Sequence, residues 1–434
     1  MRADNQLKSD GRPTALPAVH EAWLPREHSL YRPRHGRRQT VALVCAAVFF
    51  LSPLVSFALG ARPSEFENRA LTPFPSLADG WSFFTQLAPW ATDHLVLREE
   101  AIHAADAVSR GVFGEPPPLG DGPKQGGPLQ PAPTESEPRQ VHYPSVVEGK
   151  NDWLYLGDEV ASHCEPTRPL EETVAQLRKL RDGVEATGRR FITVIAPDKA
   201  TLLPENLPDE YIGKECHQRT VDKFGRLLGT EDYVLDLRAV DGFAQLVAPG
   251  EQLGEPVYGP QDAHWSDEGG VLMARGLAER LRPGISAEWK VTPTSSWRVP
   301  ADIPPLIGRE GETVGRHYAL APNGEQDLTQ DVEPDYRTPL TLDTASGPGT
   351  YGLGVGLLGD SFTIRALPYL SAAFANMTVL HHDSVSEDHG ATAANMLAGK
   401  DVVVLEIAER SLARGGPAVL SEPALSTVLD ALSR

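Results

Sequence analysis

Short apolar runs alternate with helical stretches through most of the C-terminal part of the chain. The runs Phe191–Ile195, Leu353–Leu358 and Val402–Ile407 have the composition of buried strands. Between them, stretches such as Leu170–Thr187 and Ser266–Leu281 repeat their apolar residues at helical spacing. Alternating buried strands and helices are typical of a parallel sheet covered by helices, so the sequence predicts an α/β fold.

An uncharged stretch, Thr40–Leu59, is about 20 residues long, enough to cross the core of a bilayer. Four arginines (Arg32, Arg34, Arg37 and Arg38) precede it, and the positive-inside rule then places the N-terminus in the cytoplasm. The alternative is a cleaved signal peptide, but its apolar region would be shorter and its leader less extended. The pattern favours an uncleaved anchor on the cell membrane with an extracytoplasmic body.

Composition divides the chain further. The segment 114–141 is rich in proline and glycine, which is typical of a flexible linker. Few long apolar runs occur in 282–350, which predicts a loop-rich insertion with a hairpin at Trp289–Trp297. The predicted order is a cytoplasmic tail (1–39), a transmembrane anchor (40–60), a membrane-proximal helical segment (61–113), the linker (114–141) and a folded domain (142–434).

The formal net charge of −19 is unevenly distributed. Residues 1–39 contribute +4, which leaves −23 for the rest of the chain. Nucleic-acid binding requires a basic surface, so this composition excludes general binding of nucleic acid. It also favours a neutral or weakly charged substrate over a polyanion.

Three cysteines are present. Cys45 lies in the uncharged stretch, whereas Cys164 and Cys216 lie in the body, where a disulfide could form if the compartment is oxidising. Two free thiols are the alternative, because sequence does not show whether their Cα atoms approach. Neither cysteine has the paired spacing of a zinc site.

The motif GLLGDSFT, Gly356–Thr363, places Ser361 between a buried strand and a helix. Backbone N–H groups at such a junction can hold an oxyanion, and Gly359 permits a tight turn. Asp360 and Ser361 could instead simply cap the helix. A second motif is needed to distinguish a nucleophile from a cap.

That second motif is YGPQDAHWSDEGG, Tyr258–Gly270. A serine nucleophile needs a base, and the base needs a carboxylate that fixes its tautomer. Asp262 and His264 are two positions apart, so both project to one side of an extended segment. This predicts Ser361 as nucleophile, His264 as base and Asp262 as its orienter. No further ligands are spaced to complete a metal site, and no cofactor is predicted.

These motifs together resemble the AlgX/AlgJ-type family of polysaccharide O-acetyltransferases, which have an SGNH hydrolase-like domain. Besides GDSF and DAHW, the resemblance is carried by several stretches: Glu67–Arg69, Asp93 with Arg98, Val146–Glu159, Phe191–Pro208 and Val402–Leu412. It covers nearly everything after the uncharged stretch.

The resemblance implies a parallel sheet between helices and a permuted triad order, with Asp-x-His before the serine. It implies transfer of acetyl groups to an exported polysaccharide, beside a multi-pass membrane O-acyltransferase that supplies the acetyl group. Two alternatives stay open: a glycan esterase that uses the same triad, and a non-catalytic glycan-binding assembly protein.

Three further residues are candidate substrate-binding groups: Lys199, Trp265 and Arg410. Lys199 could instead order its loop, and Arg410 could form a structural ion pair with Glu406. The Gly-x-Asn-Asp block of ordinary SGNH hydrolases is not evident, so the sequence identifies only the Ser361 N–H as an oxyanion donor.

Overall fold

A computed structural model describes residues 37–62, 74–76, 82–96, single positions between 101 and 111, 141, 143–239, 247–248, 251–252, 257–332 and 335–433. Residues 1–36 of the predicted tail, residues 114–140 of the predicted linker and the stretch Glu67–Arg69 lie outside them. The chain divides into two compact units, Met1–Arg98 and Glu99–Arg434.

In the first unit the structure describes two helices, α1 (Arg37–Ala58) and α2 (Ser82–Asp93). Helix α1 covers most of the predicted anchor. Among the residues the structure describes, no helix has the combined length and apolar character needed to cross a membrane. The predicted transmembrane helix is therefore not confirmed.

The second unit contains the remaining elements. Its strands are β1 (Val146–Glu148), β2 (Leu154–Leu156), β3 (Arg190–Ala196), β4 (Val234–Asp236), β5 (Val247–Ala248), β6 (Glu251–Gln252), β7 (Lys290–Pro300), β8 (Glu312–Ala321), β9 (Leu340–Asp343), β10 (Val355–Gly359), β11 (Asn376–His381) and β12 (Val402–Ala408). Its helices are α3 (Asp158–Cys164), α4 (Leu170–Glu185), α5 (Lys199–Leu202), α6 (Lys214–Leu228), α7 (Asp267–Leu281), α8 (Thr363–Ala373), α9 (Val385–Asp388), α10 (Ala391–Ala398), α11 (Glu409–Arg414) and α12 (Glu422–Leu432).

Within the described residues, the central sheet has six strands in the order β4-β3-β12-β10-β11-β9. All neighbouring pairs are parallel except β9 with β11, which is antiparallel. Strands β10 and β12 are buried along their whole length, because one apolar cluster covers each face of the sheet. One cluster includes α7 and α8, and the other includes α4, α10 and α12. The predicted α/β sheet flanked by helices is confirmed.

The segment predicted to be loop-rich contains a long antiparallel hairpin of β7 and β8. The prediction of a hairpin at Trp289–Trp297 is wrong, because β7 runs through that segment without reversing. Its Pro-Thr-Ser-Ser sequence is accommodated by a register shift between Pro293 and Ser296, as proline in a strand requires. The chain reverses later, between Pro300 and Glu312, and this connection carries Asp302.

A disulfide joins Cys164, at the end of α3, to Cys216 in α6, with Cα atoms 5.5 Å apart. This resolves the alternatives left open by the sequence in favour of the bridge. Cys45 is a free, exposed cysteine.

Candidate active site

Ser361 lies in the short connection between β10 and α8, at the carboxyl end of a central strand. Gly359 is required there, because a Cβ atom would lie 2.2 Å from Thr363 Oγ1. The buried Asp360 carboxylate accepts hydrogen bonds from the Phe362 N–H (3.0 Å) and the Ala408 N–H (2.7 Å). These bonds join Asp360 to Phe362 across Ser361 and to the end of β12, so they order the turn that carries the Ser361 hydroxyl.

Beneath this turn lies Glu406, a fully buried carboxyl group on β12. It accepts hydrogen bonds from the Asp360 N–H at 2.9 Å and from the Thr363 hydroxyl at 2.8 Å. Burial raises the pKa of Glu406 well above its usual range, and the neighbouring Asp360 charge adds to this. Glu406 therefore supports the serine turn from the sheet.

His264 approaches Ser361 from the loop before α7. Its Nε2 atom lies 2.8 Å from Ser361 Oγ. The next residue, Trp265, is buried and donates from Nε1 to the Phe362 carbonyl at 2.8 Å. This bond ties the histidine loop to the serine turn, so the predicted pair meets although 97 residues separate the two positions.

The Nδ1 atom of His264 is bonded to a residue that the sequence analysis did not single out. Asp302 Oδ2 lies 2.8 Å from Nδ1, whereas Asp262 Oδ1 lies 3.6 Å away. The second Asp302 oxygen accepts the Ala263 N–H at 2.8 Å. Asp302 is thus held against the histidine loop and occupies the position predicted for Asp262.

Asp262 instead orders the loop that carries His264. It accepts the His264 backbone N–H at 3.0 Å and the Thr313 hydroxyl at 2.9 Å. The two-residue spacing that suggested an imidazole contact produces a local turn, in which the carboxylate bonds to the backbone two residues on. Asp302 is the nearer of the two carboxylates to Nδ1, and the role of Asp262 as orienter stays a prediction, because its Oδ1 atom also lies within 3.6 Å of Nδ1.

The two carboxylates dominate the protonation of His264. Burial alone would lower the pKa of His264, but hydrogen bonds and charges from Asp262 and Asp302 outweigh it and raise that pKa to about 9. For Asp262, burial would raise the pKa, but its bonds with His264 hold the pKa well below the usual range. The imidazole is therefore a stronger base than an exposed histidine.

The three residues predicted to bind substrate all make contacts inside the protein. Lys199 is fully buried and donates to the carbonyls of Gly259 (3.3 Å), Pro260 (3.2 Å) and Asp262 (2.7 Å). Burial lowers the pKa of Lys199 to about 8. Of the two roles considered for Lys199, the structure therefore supports loop ordering. Trp265 is equally inaccessible to a glycan, being 1% exposed.

Arg410 is also committed to an internal contact. Its guanidinium donates to the buried Asp198 carboxylate at 2.9 Å and lies over the Phe362 ring. The predicted pair with Glu406 is wrong, because Glu406 points to the serine turn from β12, whereas Arg410 follows in α11. Arg410 therefore supports the site from within.

One oxyanion donor can be placed. Among the hydrogen bonds of the described residues, none uses the Ser361 backbone N–H. An unused N–H beside the nucleophile is the kind of group that holds the oxygen of a tetrahedral intermediate. The Ser361 N–H is the donor that the sequence motif predicts, and its role in holding an oxyanion stays a prediction.

Asp262, His264 and Asp302 also bring one potential metal-ligand atom each within 4.8 Å of one another, as do His381, His382 and Asp383. In the first group both ring nitrogens of His264 already have partners, Asp302 and Ser361. The arrangement is therefore a hydrogen-bonded relay from carboxylate to imidazole to hydroxyl.

Asp302 lies 38 residues after His264, in the connection between two hairpin strands. No spacing rule links an acid in that connection to His264. The only sequence signal was an isolated acid, in Ala-Asp-Ile-Pro-Pro, within a segment predicted to be loop-rich.

Comparison with known proteins locates the family resemblance. Residues 146–339 match the family model described as the SGNH hydrolase-like domain of the acetyltransferase AlgX. The match includes Asp262, His264 and Asp302 and ends before Ser361.

Curated relatives include the probable alginate O-acetylases AlgJ of Pseudomonas putida, 28% identical over 140 residues, and of Azotobacter vinelandii, 25% identical over 142 residues. Each match covers 32% of this chain and 34% of the relative, so the chain spans about a third of the length of the curated relatives.

Among solved structures, the O-acetyltransferase domain of Pseudomonas putida AlgJ aligns with 66% of this chain and 98% of its own length. The identity is 18% and the TM-score 0.44. The family model and the curated relatives confirm the resemblance of this chain to the AlgX/AlgJ-type family, and the SGNH hydrolase-like domain is the part that the family model covers.

Proposed function

We propose that this chain is an O-acetyltransferase that moves an acetyl group, through a Ser361 acyl-enzyme, to a hydroxyl of an extracytoplasmic polysaccharide or cell-envelope glycan. The observation that carries the proposal is the continuous relay from Asp302 through His264 to Ser361, with both contacts at 2.8 Å. The match of residues 146–339 to the AlgX domain family and the names of the AlgJ relatives support acetyl transfer.

In the first step Ser361 Oγ attacks the carbonyl carbon of the acetyl donor. His264 Nε2 takes the hydroxyl proton, and Asp302 stabilises the imidazolium through Nδ1. The Ser361 N–H stabilises the oxyanion. When the intermediate collapses, the bond to the leaving group breaks, the leaving group takes the proton from His264, and acetyl-Ser361 remains.

In the second step a glycan hydroxyl replaces the leaving group. His264 accepts its proton as the hydroxyl oxygen attacks the acetyl carbon. Collapse of the second intermediate releases the acetylated glycan and returns the proton to Ser361 Oγ. The acetyl donor is proposed to be a multi-pass membrane O-acyltransferase, in keeping with the family resemblance.

A glycan esterase is the second candidate, because water can replace the glycan hydroxyl in the same site. Full-length protein supplied with 4-nitrophenyl acetate and a neutral oligosaccharide such as cellohexaose distinguishes the two. We expect acetylated oligosaccharide by mass spectrometry, with none from Ser361→Ala. If acetate alone is released even at high oligosaccharide concentration, the esterase is the correct assignment.

We also propose that the domain works outside the cytoplasm, held to the membrane by the uncharged stretch Thr40–Leu59. The Cys164–Cys216 disulfide supports the location, because such bonds persist in oxidising compartments. The anchor is supported by sequence alone. A reporter that is active only outside the cytoplasm, fused after Arg434, is expected to be active, and an inactive fusion would contradict the location.

A further inference from the structure

Arg365 is a partly exposed guanidinium one helical turn after Ser361. Its side chain is 29% exposed, and its Cζ atom lies 4.0 Å from the centre of the Trp297 ring. Trp297 lies in turn against Gly315 of the paired strand, where a Cβ atom would be 2.2 Å from the indole. The Trp297 indole therefore packs between the Arg365 guanidinium and the backbone of Gly315.

The carboxylate beside Arg365, that of Asp267, forms its hydrogen bonds with other residues. Asp267 accepts from Trp297 Nε1 (2.8 Å) and the Tyr369 hydroxyl (2.7 Å), and it contacts His317 Nδ1 at 3.0 Å. Arg365 Nη1 approaches only to 3.8 Å. Among the described residues, the Arg365 guanidinium makes no hydrogen bond, so its planar set of N–H donors is available to a ligand.

Arg365 and Asp267 are close in sequence to the nucleophile and its base. Asp267 is the first residue of α7, three residues after His264, and Arg365 lies in α8, four residues after Ser361. Side chains on a helix lean toward its N-terminus, which for α8 is the end that carries Ser361. The half-exposed His317 lies on the same carboxylate.

We propose that Arg365, braced by Trp297 and Asp267 and flanked by His317, forms the acceptor subsite that holds two adjacent hydroxyl oxygens of a neutral pyranose ring. The inference rests on the proposed acetyltransferase function. The planar fork of arginine matches a pair of neighbouring oxygens. Asp267 balances the charge of Arg365, so the subsite has no net attraction for an anion, in keeping with the acidic body.

The test measures the ratio of transfer to acylation in full-length protein. The donor is 4-nitrophenyl acetate, whose nitrophenolate burst reports acylation. The acceptors are cellohexaose and an oligomannuronate of equal length. For Arg365→Ala and Arg365→Lys we expect the ratio with cellohexaose to fall roughly tenfold to a hundredfold, because the paired donors are lost. The lysine variant keeps the charge and removes the fork.

The matched control is Arg298→Ala. Arg298 neighbours Trp297 on β7, projects to the opposite side and is paired with Glu312. Its ratio is expected to equal that of the wild type. Wild-type protein without a burst would refute the acetyltransferase proposal itself. With an intact burst, three results would each overturn the subsite: an unchanged ratio in Arg365→Ala, preference for the uronate, or transfer to neither oligosaccharide.

Discussion

Replacing Ser361 with alanine is expected to abolish acetylation of the protein by 4-nitrophenyl acetate. The wild type should gain one acetyl group within a brief exposure, located on Ser361 by peptide mass spectrometry. The reason is geometric: His264 Nε2 lies 2.8 Å from Ser361 Oγ and removes its proton as attack begins. His264→Ala should lose activity about as completely, because members of a catalytic relay act as a unit.

Ser426→Ala provides a matched control, because Ser426 is exposed in α12 and its hydroxyl donates to the Pro423 carbonyl of the same helix. It should be acetylated at Ser361 at the wild-type rate. An equal mass gain in Ser361→Ala would show that the label is on another residue and would contradict the assignment of the nucleophile. No adduct on the wild type would contradict the acyl-enzyme.

The second large effect is expected at Asp302. Asp302→Asn should slow acylation on the order of 10³–10⁴-fold, because the amide no longer holds the proper imidazole tautomer or stabilises the imidazolium. Asp262→Asn should cost roughly tenfold, since Asp262 fixes the backbone of the histidine loop but leaves the Nδ1 contact intact. Burst rates of the two variants, with circular dichroism spectra to compare their folding, measure the difference.

The pH profile of acylation shows whether Asp302 acts on His264 or only supports the fold. The neutral imidazole is the active base, and His264 has a pKa of about 9, so wild-type acylation should rise with pH and level off above that value. Asp302→Asn removes one of the charges that raise this pKa, so its rising limb should move to lower pH. A larger decrease of the acylation rate in Asp262→Asn than in Asp302→Asn would show that Asp262 is the residue that orients His264.

Local sequence was sufficient to predict the sheet and two members of the relay. The apolar runs at Phe191–Ile195 and Val402–Ile407 became β3 and β12 because strands inside a helix-covered sheet are buried on both faces. Ser361 and His264 were identifiable because each lies beside a helix start, in a short motif whose residue types suit one chemistry.

The third member could not be found in this way. Asp262 is close to His264 in sequence, and this closeness lets its carboxylate also accept the His264 backbone N–H. Asp302 reaches Nδ1 only because the connection from β7 to β8 returns to the histidine loop.

For the basic side chains, too, sequence and tertiary structure determine different things. The sequence favoured Lys199 and Arg410 as binding residues and gave no reason to select Arg365. Tertiary structure surrounds Lys199 with carbonyls and pairs Arg410 with Asp198, whereas Arg365 makes no hydrogen bond to the part of the chain that the structure describes. Local spacing determined which residues share a strand, a turn or a helix. Packing between distant segments decided which charges are satisfied inside the protein and which can reach a substrate, because satisfaction depends on partners that no local pattern specifies.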